Sequence, residues 1–173
     1  MPRHPVTDAA LIQQLHELVF EDVKFRSAVE TAFVRARDEL DLEGNTLPYS
    51  SAEILPTVFK SKLTERLRGR VNLCRVFILR KGQRMETPEI HRNSIQRLAS
   101  YRGHGTIHSA EPGGDHMVFR PYALGDSERS AVIDLNQLWD VVSMNTWHFP
   151  EASAESDWYT VTFHSASSTD IVD

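Results

Sequence analysis

In the first forty positions the apolar residues recur at helical spacing. Leu11, Leu15, Leu18 and Val19 fall at i, i+4, i+7 and i+8, and Val23, Val29, Phe33 and Val34 continue the face, so residues 8 to 39 read as helix. Thr7 or Asp8 can cap its start, and Glu21-Asp22 marks a break that divides it in two. The stretch DELDLEGNTLP then supplies acids, Gly44, Asn45 and Pro48, a loop signal. Ser50 with Glu53 three residues on forms a capping box, and Ile54, Leu55, Val58, Phe59 and Leu63 predict a further helix, with Pro56 moving its start a few residues along.

After Gly69 the period changes from helical to alternating. VNLCRVFILR, IQRLASYR, GTIHSA, HMVFRPYAL, SAVIDL, WDVVSM and WYTVTFHSA are short runs rich in β-branched and aromatic residues, and Gly103-His104-Gly105 separates two of them. Helices first and strands afterwards mean segregated α and β parts. The expected fold is therefore α+β and mainly β, with an N-terminal helical extension over 1–69 and a β-sandwich or small barrel over 70–173. The polar tail SASSTDIVD reads as a partly mobile end.

Composition narrows the function classes. A chain of 173 residues, 40% hydrophobic and 25% charged, suits one packed domain. Its formal net charge of -5 argues against a nucleic-acid binder, which needs surplus cations to displace counterions from phosphates. The cations are uneven, however: Lys60, Lys62, Arg66, Arg68, Arg70, Arg75, Arg80, Lys81 and Arg84 crowd one stretch, either a solvated face or a rim that attracts an anion. A single Cys, Cys74, lies in an apolar run, reads as buried packing, and favours a cytoplasmic setting. The N-terminus lacks the pattern of a signal peptide, and no stretch approaches the roughly 18 apolar residues that span a bilayer.

The chemistry concentrates in TPEIHRNSIQRLASYRGHG, residues 87–105. Glu89 and His91 are separated by one residue and so share a face of an extended segment; Gln96 follows, and Gly103 closes the stretch at a hairpin. A fourth group arrives in WDVVSMNTWHFPEA, where His148 follows Asn145, a residue able to take the left-handed turn conformation.

These two segments resemble the paired motifs of the cupin superfamily, G(X)5HXH(X)3-4E(X)6G and G(X)5PXG(X)2H(X)3N. EIHRNSIQRLASYRG sets Glu89 at the first His position, His91 at the second, Gln96 at the Glu and Gly103 at the closing Gly. In QLWDVVSMNTWH, His148 stands at the metal-binding His, Asn145 at the turn Gly, Ser143 at the Pro and Gln137 at the leading Gly. Gly82 precedes Glu89 by one residue more than the pattern allows, and Ala152 stands where the final Asn belongs. The resemblance implies a double-stranded β-helix barrel from about residue 70 onward, often a homodimer, with Glu89, His91, Gln96 and His148 as the metal positions. Glu89, His91 and His148 would make two imidazoles and one carboxylate, the set that holds ferrous iron; Mn, Ni or Zn are alternatives. On this reading the carboxylate has moved from the Gln96 position to Glu89, and Gln96 is a weak ligand or an orienting donor.

His108 and His164, on strands, are candidate general acids or bases, and Tyr101 and Tyr122 candidate proton donors. His104 reads as a solvated hairpin tip, His116 as loop, and Trp147 as packing against the helical part. The function this favours is a metal-dependent cupin enzyme acting on a small metabolite, with a non-heme iron dioxygenase among the options. The alternatives are a metal-free cupin, acting as ligand-binding module or sugar isomerase, and a ligand-sensing regulator. The last is weakened by the absence of a helix-turn-helix signature in residues 8 to 68.

Overall fold

Asp22 divides the N-terminal helical stretch. The computed structural model describes residues 6–128 and 134–173, the side chains of Val6 and Thr7 excepted. In it α1 runs Val6–Phe20 and α2 Val23–Leu40, and the Asp22 carboxylate caps α2 by accepting from the Phe25 amide at 2.8 Å. The helical period buries Leu11, Leu15 and Val19 from α1 with Phe25, Val29 and Phe33 from α2. Because α1 already begins at Val6, Asp8 is not a cap. Its carboxylate instead lies buried against Arg97, at 2.7 Å from Nη2, and Arg70, at 2.8 Å.

The capping box at Ser50 does not open a helix. Tyr49–Ile54 is strand β1, whose backbone pairs antiparallel with β2, Leu73–Leu79, so that Ser50 faces Ile78 and Glu53 faces Arg75. Ladder pairing with a buried neighbour has overridden the local cap signal. The segment assigned to the helical extension thus contributes an edge strand of the sheet. The predicted helix survives only as short pieces: α3, Pro56–Phe59, with Pro56 in its first turn where a missing N–H costs nothing, a 3-10 turn Lys60–Lys62, and α4, Glu65–Arg68.

The remaining strands are β3 Gln96–Arg102, β4 Gly105–Ser109, β5 Arg120–Leu124, β6 Trp139–Val142, β7 His148–Ala152 and β8 Trp158–His164, with a short helix α5, Leu135–Leu138, before β6. They form a five-stranded sheet in the order β1-β2-β8-β3-β6 and a three-stranded sheet in the order β5-β4-β7, every pair antiparallel. Of the strand expected over SAVIDL, residues 130–133 lie outside the described residues, and Leu135 belongs to α5.

Strand alternation sorts the larger sheet into two faces. Cys74, Val76, Ile78, Ala99, Val161 and Phe163 pack on the helices. Leu79, Leu98, Val142 and Trp158 turn the other way and meet Ile107, Leu124 and Ala152 of the smaller sheet. The space between the sheets is where a site can form. Gly103, with φ 74°, is required at the β3–β4 turn, because a Cβ there would lie 2.3 Å from the Asp157 carbonyl oxygen. Asn145 has φ 57°, the left-handed turn its motif position demands.

Two further expectations change. Trp147 packs on the 111–119 loop, its ring 5.3 Å from that of His116. Much of the basic stretch serves as clamps: Lys62 pairs with Asp22 at 2.7 Å, Arg70 with Asp8, and Arg80 donates to the Leu40 carbonyl at 2.6 Å. Cys74 is buried as expected, and burial pushes its thiol pKa up. Among the described residues no helix is long and apolar enough to cross a membrane.

Candidate metal centre

The segment from Gln83 to His91 runs alongside β7 and acts as a further, irregular strand of the smaller sheet. Ala152 donates to the Gln83 carbonyl at 2.9 Å and the Met85 amide to the Pro150 carbonyl at 3.2 Å. Farther along, Glu89 and His148 exchange both backbone hydrogen bonds, at 2.8 and 2.9 Å, and the Asn145 amide donates to the His91 carbonyl at 2.8 Å. A residue pair that exchanges both bonds carries its side chains on one face. Glu89 and His91 share that face by alternation, so the donor atoms of Glu89, His91 and His148 all lie within 4.8 Å of one another. Gln96, the first residue of β3, places Oε1 at 3.2 Å from His91 Nε2 and 3.3 Å from His148 Nε2.

The outer ring atoms decide what the inner ones offer. His148 Nδ1 is 3.0 Å from the Thr146 carbonyl oxygen, and His91 Nδ1 is 2.6 Å from Asp173 Oδ1. Both partners only accept, so both Nδ1 atoms carry the proton and donate it. In the neutral rings each Nε2 then presents a lone pair, and the two lone pairs converge with the Glu89 carboxylate. Orientation of an imidazole through its far nitrogen is how metal-binding histidines are ordinarily held. By donor type, convergence and tautomer, these three residues fit a divalent transition metal.

Burial holds the Glu89 carboxyl above its ordinary range, reinforced by Asp173 and countered by His91 and Arg75. Between the sheets, next to the donors, is a cavity of about 40 Å³ lined by Glu89, Gln96, His148, Leu98, Trp158 and Thr162. That is room for roughly two or three waters.

His164, from β8, joins this cluster: its ring lies 4.9 Å from that of His91 and is almost fully buried. Burial, aided by the neighbouring His91 and Arg75, pushes its pKa down to about 2 and favours the neutral ring in the polar wall of the cluster. The other three expected proton-transfer residues lie elsewhere. His108 alternates with Ile107, which faces inward, and so lies on the outer side of β4, 3.1 Å from Glu151 Oε2 and stacked on Phe149. Tyr101 turns toward the helices, donates to Glu30 Oε1 at 2.7 Å and stacks on Phe20. Tyr122 donates to the Asn136 carbonyl. In each case strand parity, which the sequence leaves open by one residue, sets the side.

Asp173 is the participant that sequence reasoning missed. The tail expected to be loosely held is tied to the segment that follows His91: the Arg92 amide donates to the Val172 carbonyl at 2.7 Å, and Asn93 Nδ2 to the Asp170 carbonyl at 2.7 Å. No local pattern announces this, because the tail is polar and forms no regular element.

No protein-family profile matches the chain, and no curated protein matches it in sequence. Solved structures do. Oxalate oxidase in complex with the substrate analogue glycolate is 12% identical, with a TM-score of 0.51 over 75% of this chain and 56% of that one. Recombinant oxalate oxidase in complex with glycolate gives 13% identity and the same TM-score of 0.51. The capsular polysaccharide assembling protein CapF from Staphylococcus aureus gives 14% identity and a TM-score of 0.48, over 72% of this chain and 31% of that one. The chain thus spans little more than half of the first and under a third of the last. These neighbours are cupins, and the likeness to oxalate oxidase shows the fold, helices followed by a cupin barrel.

Proposed function

We propose that this protein is a metal-dependent enzyme acting on a small molecule, with Glu89, His91 and His148 holding the metal and Gln96 beside it. The observation that carries the reading is the pair of imidazoles whose Nδ1 atoms lie against the Thr146 carbonyl and the Asp173 carboxylate, leaving both Nε2 atoms to converge with Glu89. A metal bound to these donors supplies a Lewis acid, and iron would add chemistry with oxygen, which makes a non-heme iron dioxygenase the specific form of the proposal. Fe(II) suits two imidazoles and one carboxylate, and Mn, Ni and Zn accept the same donors.

The chain's own residues have separable duties. His91 and His148 present lone pairs, Glu89 brings the negative charge, and Gln96 can turn its amide end for end at no steric cost. Its carbonyl oxygen suits a cation, and its NH2 suits two bare imidazole nitrogens. Leu98, Ile107 and Trp158 exclude water from the floor of the cavity. Its small volume favours a small substrate group over a sugar ring.

The Gln96 contacts also support a second reading. One amide satisfies both imidazoles without any metal, as a metal-free binding module or isomerase would need, with His91 or His148 as base. Calorimetric titration of chelator-treated protein with Fe(II) under anaerobic conditions, and with Mn(II), Ni(II) and Zn(II), separates the two. One saturable site, lost in His91→Ala and His148→Ala, supports the metal reading; no binding of any of the four ions assigns the site to the metal-free one.

A further inference from the structure

Arg75 is one member of the basic stretch that these clamps leave out, and the one that interrupts a strand of the larger sheet. It interrupts the apolar run of β2, and alternation puts it on the same face as Phe77 and Leu79, both of which line the cavity between the sheets. Its register partner on β8 is Thr162, also on the cavity lining. Among the described residues none forms a hydrogen bond or ion pair with the Arg75 side chain, its other register partner Glu53 included. The Thr162 hydroxyl is 1% exposed and has no partner either. A guanidinium and a hydroxyl thus stand side by side on one face of neighbouring strands, neither with a protein partner. Buried polar groups such as the Thr162 hydroxyl are nearly always paired, so this arrangement points to a ligand that accepts from it and from the half-buried Arg75 beside it.

The charge around the pair narrows the ligand. Arg75 is close enough to Glu89 and His164 to act on both electrostatically, so whatever it holds lies beside the metal donors. A planar guanidinium matches a planar oxyanion with two parallel hydrogen bonds, and the small cavity admits a short chain only. We propose that Arg75 and Thr162 form an anion subsite next to Glu89, His91 and His148, and that it takes the carboxylate of a short-chain carboxylic acid. This rests on the metal-centre reading for its role in catalysis, although the subsite can be tested without the metal.

The test is calorimetric binding of propionate, lactate and pyruvate, each against its own amide, and of inorganic phosphate, to Zn-loaded and to metal-free protein. The wild type should bind at least one of the acids about tenfold or more tightly than its amide. Arg75→Met should remove that preference while the protein still binds Zn and keeps its thermal melt; Arg75→Lys should keep part of it, and Thr162→Val should weaken it several-fold. Wild type that binds Zn but prefers no acid to its amide, or an Arg75→Met variant with unchanged preference, overturns the subsite and spares the metal. Phosphate bound in preference to every acid overturns the carboxylate assignment. If neither Zn nor any of the other three ions binds, the metal reading falls alone: acid binding to metal-free protein that disappears in Arg75→Met still supports the subsite, and its absence overturns it.

Discussion

Glu89 and His148 oppose each other as a hydrogen-bonded pair, exchanging backbone bonds at 2.8 and 2.9 Å, although 59 positions separate them in the chain. The backbone therefore fixes their side chains on one face whatever the side chains are. Glu89→Gln should leave that pairing and the fold intact and remove only the negative charge. Metal affinity should then fall by more than the roughly 10–100-fold typical of outer-shell changes. Adding Gln96→Glu to that variant should recover much of the loss, since it returns a carboxylate to within reach of both imidazoles. Calorimetric titration of the two variants measures both effects.

How much of this could be read from the sequence follows from the range of the interactions. The helical period of Leu11 to Phe33 and the break at Asp22 are local, and they hold, although Val23 and Val34 of the expected apolar face point to solvent. The strand at Tyr49–Ile54 is not local: Ser50 and Glu53 have the residues of a helix cap, and only the edge of β2 makes them a strand. Glu89, His91 and His148 were legible because two short motifs fix their spacing, and Asn145 with its φ of 57° confirms the turn between β6 and β7. His108 and Tyr101 were misplaced because a strand's parity is set by what packs on it. Asp173 was invisible because its partner His91 is 82 residues away in the chain.

That contact carries its own prediction. Asp173 holds the His91 Nδ1 proton at 2.6 Å and so keeps the Nε2 lone pair aimed at the centre. Asp173→Ala should lower metal affinity roughly 10–100-fold without unfolding the barrel. Metal titration together with a thermal melt checks both halves.

The helices are joined to the barrel by a buried charge pair. Arg97 on β3 is 1% exposed and donates from Nε and Nη2 to the Asp8 carboxylate on α1. Asp8→Ala leaves that guanidinium buried without its counter-charge. The expected loss is about 3–5 kcal/mol in chemical denaturation, far more than a surface pair would cost.

His16 supplies a pH dependence away from the centre. Its Nδ1 accepts from the Trp139 indole N–H at 3.2 Å, and burial lowers its pKa from 6.5. The unfolded chain therefore binds the proton more readily than the folded one, and stability falls as pH drops below 6.5 toward the lowered value. Wild type should lose more stability between pH 7.5 and pH 5 than His16→Gln, whose side chain does not titrate. Denaturation curves at the two pH values give the difference, and equal losses would remove His16 as a cause.

The most direct test of the account is the metal content of protein purified without chelators, determined for the wild type, His91→Ala and His148→Ala. The account predicts near-stoichiometric iron, manganese, nickel or zinc in the wild type and almost none in either variant. Wild-type protein free of all four, after both aerobic and anaerobic preparation, would contradict it.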